Sequence, residues 1–582
     1  MNFINLQNIL ITISILALIK IARDGLFYLW LWQIKEYRTD RMRAYLRDEK
    51  NAVGKNILYL IGISLVVIFY FSQQIFIYLA LLFFAFTFYQ IFIEIRNRTL
   101  KRPKFTFRIL VTLFTILVLH SIIAFSWIPA FAGMTGGGVV NIKVAGIILL
   151  LLFLYLITPI LITTIILFTN PIFNFQKKKI IKKAEEKMRG LKKIKVIGIT
   201  GSYGKTSTKE FLDVILSEKY KVIKTMGNNN TNIGVAKTVL NKVSDGYDYF
   251  ICEMGAYKIG EIKEICGIAK PEIGILTGIN EQHLDLFGSI ENTVRAKFEL
   301  IEALPENGMA IINSSIKQVS ICHSDRSERG TSERSGGISL EQDNLNVIVN
   351  GIERGSSAPI VARDDKHINY FIKVKNIEHF SLNNVSDIKV YSDCVEFIYK
   401  NQKFRANLLG RHYIENLLAA IIAAENLGMN LKEISEAVKK IKPFKFTMRE
   451  LKGLKNSVFI DDSYSANPDG VMAALNYLDE AYQDYKKIIV FPGIIELGKK
   501  SKKVHRELFS RIDKVCNVAY IMSQKSIKSK VYKVDKNNCK FVFEKNFDKV
   551  AGMLKNNLNE KTVVLFESRG AGVVMGKYDK SY

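Results

Sequence analysis

The segment KVIGITGSYGKTSTKEF, residues 195–211, decides the fold of the larger part of this 582-residue chain. Its first six residues form a short β-branched run, which predicts a strand. The next four residues, Gly-Ser-Tyr-Gly, predict a tight turn, and Lys205 opens a helix that reaches about residue 220. A strand, a glycine turn and a helix N-terminus in this order bind phosphate, because backbone N–H groups and the positive helix end meet the anion.

The motif in this segment is the short form GxxGK[ST], since residue 199 is Ile where the full phosphate-loop pattern has Gly. In such a loop the lysine, here Lys205, reaches the β- and γ-phosphates, and the hydroxyl of Thr206 can ligate Mg²⁺. The short pattern also occurs by chance. The strand–turn–helix context nevertheless favours phosphate binding.

Further strands and helices alternate after this loop and predict a parallel sheet. The strand-like runs cover residues 248–252, 273–277 and 309–313. Glu253 ends the first run, His283 follows the second, and a helix over 289–304 carries Lys297. Ligands bind at the carboxyl ends of such strands. Taken singly, these three residues would be interpreted as a helix cap, a loop histidine and a solvated lysine.

Five apolar stretches precede this region, and a membrane-spanning helix needs roughly 20 such residues. They are Ile4–Ile21, Ile57–Phe71, Ile75–Ile95, Ile109–Phe125 and Val144–Phe168. Basic loops at 35–55, at 96–108 and after 176 alternate with segments that lack Lys and Arg, at 72–74 and 126–142. By the positive-inside rule the N-terminus lies outside and the chain after Lys177 lies in the cytoplasm. We therefore expect a multi-pass protein of a bacterial cytoplasmic membrane; buried helices of a soluble protein are the alternative.

The net charge of +27 does not indicate nucleic-acid binding, because much of the excess lies beside the apolar stretches. Basic clusters in that position typically face anionic lipid. No nucleic-acid-binding motif appears in the sequence, and the six cysteines lack metal-site or disulfide spacing. We expect a lipid bilayer and no nucleic acid as partners.

Taken together, the motifs resemble those of the Mur ligases, which build the peptide of bacterial peptidoglycan. The resemblance covers about residues 190–582 and rests on TGSYGKTSTKE at 200–210, GNNNTNIGV at 227–235, EMGAYKIGEI at 253–262, HLDLFGS at 283–289, RAKFELIEALPENGMAIIN at 295–313, GRHYIEN at 410–416, IDDSYSANPDG at 460–470 and SRG at 568–570. The EMGA and DDSYSANP motifs are similar to those of the branch that adds D-alanyl-D-alanine.

The resemblance implies a role for each matching residue. Lys205, Lys297 and His283 match catalytic positions. Nucleotide-binding positions are matched by Gly201, Ser202, Gly204, Lys205, Thr206, Ser207, His412, Asn416, Arg449 and Asp462. Two Mg²⁺ ions are implied, with ligands among Thr206, Glu253, His283 and, if it is carbamylated, Lys297. Asn228, Asn230, Tyr464 and Asn467 match substrate-binding positions.

The implied fold is α/β, with a phosphate-loop-type parallel-sheet ATPase domain and a Rossmann-like C-terminal domain, preceded by an all-α multi-helix transmembrane domain. The expected boundaries are 1–176 for the transmembrane domain, 177–194 for a basic cytoplasmic linker, 195–440 for the central domain and 441–582 for the C-terminal domain. Two polar or Gly-rich segments, at 126–138 and within about 318–340, predict exposed flexible loops.

The implied activity is ATP-dependent, ADP-forming ligation of D-alanyl-D-alanine to a muramoyl-tripeptide carboxylate through an acyl phosphate. The muropeptide and D-alanyl-D-alanine are then the substrate partners, and cell-wall synthesis enzymes are further candidate partners. The sequence departs from the family at Gly278 and Tyr413, where the family has Asn, and at Ile494, where it has Asp. It also carries apolar stretches where the family has a soluble domain that holds the UDP-sugar, so a lipid-linked acceptor is an open hypothesis.

Three other functions remain open. The same chemistry would serve a ligase that extends poly-γ-glutamate or another polymer at the membrane. A transport or signalling ATPase would require ionisable groups within its spans, and His120 is the only such residue well inside a predicted span. An inactive scaffold is disfavoured because the phosphate-loop and metal-site residues are all present.

Overall fold

The computed structural model describes most of the chain, in two compact units, Met1–Lys178 and Lys179–Tyr582. The described residues are 3–47, 61, 64–65, 68, 72–96, 100–132, 139–227, 229–280, 282–316, 319–323, 363–364, 367–445, 447–463, 466–494, 497, 500–522 and 538–578. The second unit contains all the residues to which the sequence assigns chemistry.

The first unit is helical in its described part. Its helices are α1 (Phe3–Ile34), α2 (Thr39–Arg47), α3 (Gln73–Arg96), α4 (Phe107–Ala132) and α5 (Val139–Gly190), the last of which continues into the second unit. Among the described residues, three helical segments are long and apolar enough to cross a membrane, at Ile75–Arg96, Phe107–Ser126 and Lys143–Gly190. These segments contain the third, fourth and fifth predicted spans. Most of the second predicted span lies outside the described residues.

The first predicted span lies in α1, but this helix is longer than the span and carries charges near its middle. Lys20 forms an ion pair with Asp24 at 2.9 Å, and both residues are buried. Arg23 donates through Nε to Glu94 of α3 at 2.9 Å. The prediction that His120 is the only ionisable residue well inside a predicted span concerns a first span that ends at Ile21. The helix continues to Ile34, so Arg23 and Asp24 lie within α1 but beyond that predicted span.

Residues 177–190, predicted as part of a linker, are helical and complete α5. Lysine and glutamate favour helix in this segment. Ile181, Ala184 and Met188 recur at helical spacing and are buried in the hydrophobic core of the second unit. Part of the predicted linker therefore belongs to the hydrophobic core of the second unit. The predicted domain boundaries themselves stay a prediction.

The second unit begins with a parallel six-stranded sheet in the order β2-β3-β1-β4-β5-β9. Its strands are β1 (Lys195–Thr200), β2 (Val222–Lys224), β3 (Tyr249–Glu253), β4 (Ile273–Leu276), β5 (Met309–Asn313) and β9 (Asn376–Phe380). All five neighbouring pairs are parallel. The carboxyl ends of β1 and β3 therefore lie side by side, with Ile199 opposite Glu253.

Helices follow these strands and cover the sheet. They are α6 (Lys205–Leu216), α7 (Asn232–Lys242), α8 (Glu261–Ala269), α9 (Leu284–Phe287), α10 (Ile290–Glu302), α11 (Tyr413–Asn426) and α12 (Leu431–Lys439). The apolar face of α6 is fully buried through Phe211, Leu212, Ile215 and Leu216. This burial fixes the direction of the helix and holds its N-terminus at the end of β1.

Two small sheets accompany the central one. An antiparallel sheet in the order β10-β11-β12 comprises Ser386–Val390, Val395–Tyr399 and Gln402–Ala406. A second sheet, in the order β6-β8-β7, comprises Val319–His323, His367–Ile372 and Arg363–Asp364. The predicted loop at about 318–340 thus begins as a strand, and residues 324–340 lie outside the described residues. Residues 126–132, expected in the other loop, extend α4, and residues 133–138 are likewise outside.

The C-terminal part of the second unit has its own six-stranded sheet, in the order β13-β14-β18-β15-β16-β17. Its elements are β13 (Arg449–Lys452), β14 (Val458–Asp462), α13 (Pro468–Ala481), β15 (Lys486–Phe491), α14 (Ser501–Val515), β16 (Val518–Ile521), β17 (Lys540–Phe543), α15 (Phe547–Asn556), β18 (Thr562–Glu567) and α16 (Ser568–Met575). Only the edge strand β13 is antiparallel. The predicted α/β architecture with two parallel-sheet domains is confirmed.

Candidate active site

At two positions of the turn between β1 and α6, only glycine fits. Gly201 has φ of +152°, and a Cβ there would lie 2.2 Å from Thr277 Oγ1 and 2.9 Å from the carbonyl oxygen of Gly278. Gly204 caps α6 with φ of +77°, and a Cβ there would lie 2.3 Å from Asn416 Oδ1. The turn therefore leads directly into a helix N-terminus, as the sequence predicts, and this geometry suits a phosphate group.

Lys205 is held inside this turn. Its Nζ donates to the carbonyl oxygen of Gly201 at 2.6 Å and to that of Ser202 at 3.1 Å. Burial lowers the pKa of Lys205, while the charge of Glu253 opposes that shift. Ser207 lies in the first turn of the same helix and is half-buried. The structure thus places a cation among the backbone groups of the loop.

Thr206 and Glu253 meet at the carboxyl ends of β1 and β3. Thr206 Oγ1 lies 3.1 Å from each carboxylate oxygen of Glu253, and Asn230 Nδ2 donates to Glu253 Oε1 at 3.0 Å. A hydroxyl and a carboxylate are the hard oxygen ligands that Mg²⁺ prefers, and this ion usually keeps water and phosphate as its other ligands. The pair therefore fits Mg²⁺, although the described residues contain no group of three His, Cys, Asp or Glu that could hold a metal.

Lys209 is a further residue of this site that the sequence analysis did not identify. Its side chain is fully buried, and Nζ lies 3.1 Å from Glu253 Oε2 and 3.3 Å from the carbonyl oxygen of Gly227. It follows Lys205 by four residues on α6, so both lysines lie on one face of the helix. That spacing is the signal in the sequence that could have revealed it.

Replacing Lys209 with methionine is expected to destabilise the second unit by about 3 kcal/mol, because Glu253 would lose its buried counter-charge. Chemical denaturation of the full chain measures this loss. The double variant Lys209→Met/Glu253→Gln should lose clearly less than the sum of the two single variants. Lys237→Met, a change at an exposed lysine of α7, is the matched control and should be nearly neutral. Strict additivity of the two site variants would contradict the ion-pair interpretation.

Lys297 lies on the inner face of α10 and is 3% exposed. Its Nζ donates to the carbonyl oxygen of Ala256 at 3.4 Å and lies 5.6 Å from the ring centroid of Phe287. Burial, to which the positive charge of Lys205 adds, lowers the pKa of Lys297 to about 7. A lysine in this environment is largely uncharged just above neutral pH, and an uncharged amine is the form that reacts with CO₂.

His283 precedes α9 in a left-handed conformation, with φ of +58°. Its ring contacts that of Tyr257 edge-on, at 5.0 Å between centroids. The backbone N–H of Tyr257 donates to Glu261 Oε2 at 2.7 Å, and Glu261 is one of the acids whose charge acts on Lys297. His283 and Lys297 are therefore linked through the same short segment after β3.

The two nucleotide-side residues of α11 differ in their surroundings. Asn416 is buried and its Oδ1 lies 3.5 Å from Thr208 Oγ1, so it packs against the phosphate loop. The ring of His412 lies tilted against that of Tyr413, with 4.2 Å between ring centroids, and burial lowers the pKa of His412 to about 4. Its buried Nδ1 has no hydrogen-bond partner among the described residues. A neutral imidazole with an unsatisfied nitrogen is suited to hydrogen bonding with a nucleotide.

The loop that follows β4 touches the N-terminus of α13 from the C-terminal domain. Asn280 Nδ2 donates to Asn467 Oδ1 at 3.0 Å and to Asp469 Oδ2 at 2.7 Å. Asn467 also caps α13, since its Oδ1 accepts from the backbone N–H of Gly470 at 3.1 Å. These hydrogen bonds connect the loop after β4 with the N-terminus of α13. Asn228 and Tyr464, two predicted substrate residues, lie outside the described residues.

Asp462, which is half-buried, and Glu567, which is buried, form an acid pair at the ends of β14 and β18, where they are register partners. Burial raises the pKa of Asp462 to about 7. Burial also raises the pKa of Glu567 well above its usual range, and the negative charge of Asp462 raises it further. The backbone N–H of Met448 donates to Asp462 Oδ1 at 3.3 Å. Arg449 instead lies 3.6 Å from Asp461 Oδ2. Glu567 escaped the sequence analysis because its partner is 105 positions away.

Replacing Glu567 with glutamine is expected to flatten the dependence of stability on pH. Because the folded-state pKa values are raised, the native protein holds protons that the unfolded chain releases above about pH 4, so stability falls as pH rises towards about 7. Glutamine does not titrate, so the substitution removes one of the two groups that lose a proton, and its NH₂ group can donate a hydrogen bond to the ionised carboxylate of Asp462. Relative to wild type, the variant should gain about 1–2 kcal/mol between pH 5 and pH 8.

Thermal unfolding at a series of pH values measures this effect. Glu560→Gln, a change at an exposed glutamate of the same domain, is the control and should keep the wild-type pH profile. A Glu567→Gln profile that runs parallel to that of wild type would show that the two carboxyl groups do not share a proton.

The departure at Gly278 has a structural explanation. A Cβ at this position would lie 2.4 Å from Cζ of Tyr203, so the tyrosine ring occupies the space that a larger residue would need. The backbone N–H of Ser202 also donates to the carbonyl oxygen of Gly278 at 2.6 Å. Tyr413, the second departure, is buried and packs edge-on against Phe211 at 5.8 Å between centroids. Ile494, the third, is also buried.

Comparison with known proteins identifies relatives of the second unit. The family described as "Mur ligase middle domain" matches residues 199–358, and "Mur ligase, glutamate ligase domain" matches 448–570. The UDP-N-acetylmuramoyl-tripeptide–D-alanyl-D-alanine ligase of Rickettsia prowazekii is 28% identical over 70% of this chain and 81% of its own length. The enzyme of that name from Buchnera aphidicola subsp. Baizongia pistaciae is 30% identical over 63% of this chain and 71% of its own length.

The fold has a counterpart among solved structures. The MurF ligase from Thermotoga maritima, solved in complex with ADP, aligns with a TM-score of 0.54 and 22% identity over 69% of this chain and 83% of its own. This chain spans only about three fifths of the length of several further curated relatives. It covers 60% of the enzyme of the same name from Escherichia coli and 59% of those from Bacillus subtilis and Borreliella burgdorferi. These likenesses concern fold and family.

Proposed function

The chain belongs to the Mur ligase family of ATP-dependent, ADP-forming amide ligases, and we propose that it joins D-alanyl-D-alanine to the carboxylate of a muramoyl-tripeptide. The observation that carries the proposal is the arrangement at the ends of β1 and β3. There Lys205 lies within a phosphate-type turn, and Thr206 lies 3.1 Å from Glu253. The names of the relatives support the choice of substrates.

Joining a carboxylate to an amine in water is unfavourable, so the carboxylate is first converted to an acyl phosphate, with ADP as the leaving group. The turn and Lys205 would hold the phosphates and offset the charge that develops on them. Thr206 and Glu253 would hold Mg²⁺, which supplies further charge compensation at the transferring phosphoryl group. The amine then attacks the acyl carbon, phosphate leaves, and the amine loses a proton.

Lys297 would carry a carbamate and, with His283, would hold a second Mg²⁺ ion. The carbamate forms when the neutral amine attacks CO₂ and releases a proton, and the pKa of about 7 favours the neutral amine. Asn230, which donates to Glu253, would line the peptide-substrate side. Asp462, Arg449 and Asn467 would contact nucleotide and substrates when the C-terminal domain is closed, and closure excludes water that would hydrolyse the acyl phosphate.

We further propose that the chain is anchored in the cytoplasmic membrane by its helical unit, with the ligase unit in the cytoplasm. Three helical segments of sufficient length and apolarity support this assignment. The basic residues that follow the last span, Lys177, Lys178 and Lys179, are consistent with a cytoplasmic flank. The acceptor would then be either UDP-linked or lipid-linked muropeptide.

An ATP-dependent coupling assay of the full-length protein in nanodiscs tests the function. UDP-muramoyl-tripeptide or its lipid-linked form is supplied with D-alanyl-D-alanine, and mass spectrometry identifies the product. We expect an ATP-dependent mass increase that corresponds to one added dipeptide, with release of ADP and phosphate. Product with the soluble substrate would indicate a dipeptide-adding enzyme with a membrane anchor, and product with the lipid form alone would assign the acceptor to the membrane. Retained ATP binding without product from either acceptor would refute the proposed substrates.

A further inference from the structure

Arg108, in the first turn of α4, is a buried cation held between two aromatic rings. Arg108 is only 7% exposed. The guanidinium carbon lies 3.8 Å from the ring centroid of Tyr37 and 4.5 Å from that of Phe173. Tyr37 lies in the turn after α1 and Phe173 lies on α5, so three separate parts of the helical unit meet at this side chain. The two rings fix the plane of the guanidinium group.

The hydrogen bonds of Arg108 leave most of its donors unused. Nη2 donates to the carbonyl oxygen of Ile166 at 3.3 Å and to Asn170 Oδ1 at 2.6 Å. Nε is buried and has no partner among the described residues. Both acceptors are neutral, and no carboxylate in the described part of the chain forms an ion pair with Arg108. A buried, uncompensated charge is costly, so a site of this kind calls for an anion.

Two other buried or half-buried cations of this unit, Lys20 and Arg23, do have acidic partners. Arg23 pairs with Asp24 and Glu94, and Lys20 pairs with Asp24. Arg23, which joins α1 to Glu94 of α3, is thus neutralised by acids. Arg108 lies between helices too, yet no acid of the described residues forms an ion pair with it.

The groups around Arg108 add positive charge. Lys177 of α5 is within electrostatic range of Arg108 and Arg38, and of the acid Glu36. Glu36 forms an ion pair with Arg41 at 2.9 Å, and Asp40 forms one with Arg38 at 2.7 Å. The nearby acids therefore have cationic partners of their own. Arg108 and Lys177 remain as the excess charge.

We propose that Arg108 anchors a binding site for a phosphate group, with Lys177 as its second cation. The planar, forked guanidinium matches phosphate oxygens through paired N–H groups, and stacked rings hold it ready for such a contact. The phosphate belongs either to a lipid headgroup or to a soluble phosphate compound. This site lies in the helical unit and does not depend on the proposed ligase function.

Two probes distinguish the sources of the phosphate, with the full-length protein in a phosphate-free detergent. Phosphatidylglycerol is titrated and bound lipid is counted by native mass spectrometry. Inorganic pyrophosphate is titrated in a second series and followed by thermal shift, in a Lys205→Ala background that weakens binding at the phosphate loop. Arg108→Gln is compared with Arg102→Gln, which removes an exposed arginine of the same unit.

We expect Arg108→Gln to weaken binding of one probe by about tenfold, whereas Arg102→Gln stays within about twofold of the parent protein. An effect on phosphatidylglycerol alone assigns a lipid headgroup, and an effect on pyrophosphate alone assigns a soluble ligand. Should Arg108→Gln not fold, Arg108→Lys keeps the charge but loses the fork and should weaken binding by several-fold. Unchanged affinity for both probes in the folded variant would overturn the proposal.

Discussion

Replacing Lys205 with methionine is expected to lower kcat/KM for ligation by about three orders of magnitude. The amine is held by the carbonyl oxygens of Gly201 and Ser202, so it already lies where the transferring phosphate would bind. Methionine preserves the length and the apolar stem but removes the charge that offsets the developing negative charge. The coupling assay measures the loss, and circular dichroism checks that the fold is retained.

Two comparisons make this result specific to the site. Lys195→Met, a change at an exposed lysine at the start of β1, should leave activity within about twofold of wild type. Lys205→Arg keeps the positive charge but replaces the compact ammonium group with the larger, planar guanidinium group, so it should recover little activity. A Lys205→Met protein that retained more than about a tenth of wild-type activity would exclude a direct role for this lysine in phosphate transfer.

Removal of CO₂ is expected to inactivate the wild-type enzyme by about two orders of magnitude, and bicarbonate should restore it. A lysine with its usual pKa is neutral in only about one molecule in 2,500 at pH 7. Burial lowers the pKa of Lys297 to about 7, so roughly half of the molecules carry the neutral amine at that pH. Because the neutral fraction rises with pH and carbamate formation releases a proton, bicarbonate should act more strongly at pH 8 than at pH 6.

Variants at this position separate the carbamate from the lysine itself. Lys297→Ala should lose at least two orders of magnitude of activity and should not respond to bicarbonate. Lys263→Ala, at an exposed position of α8, should respond as wild type does. Carbon-13 NMR after incubation with ¹³C-bicarbonate should show a carbamate signal that is absent from Lys297→Ala. Full wild-type activity without CO₂, and no such signal, would rule out the modification.

Short-range patterns in the sequence predict the phosphate-loop edge well. Local signals encode the turn from Gly201 to Gly204, the helix at Lys205 and the strand that ends at Glu253. Their juxtaposition then follows from the parallel pairing of β1 with β3, which a β-α-β order favours. The sequence also favours two parallel-sheet domains, because β15 and β18 are nearly continuous apolar runs.

Features that depend on distant register are not visible in the sequence. The acid pair of Asp462 and Glu567 exists only because β14 and β18 are neighbours in the sheet. The closing contact of Asn280 with Asp469 joins residues that are 189 positions apart. The charge network of α1 was missed for a different reason, since hydropathy marks where a span is apolar but not where its helix ends.

The close approach of Tyr203 to Gly278 constrains the order in which these positions can mutate. A larger residue at 278 must displace the aromatic ring 2.4 Å away, so that substitution alone is disfavoured. Loss of the ring at 203 first would open the space and make the second change tolerable. The fitness effect of either substitution therefore depends on which residue occupies the other site. From this pair, a larger residue at 278 can be reached through only one of the two single-mutation routes.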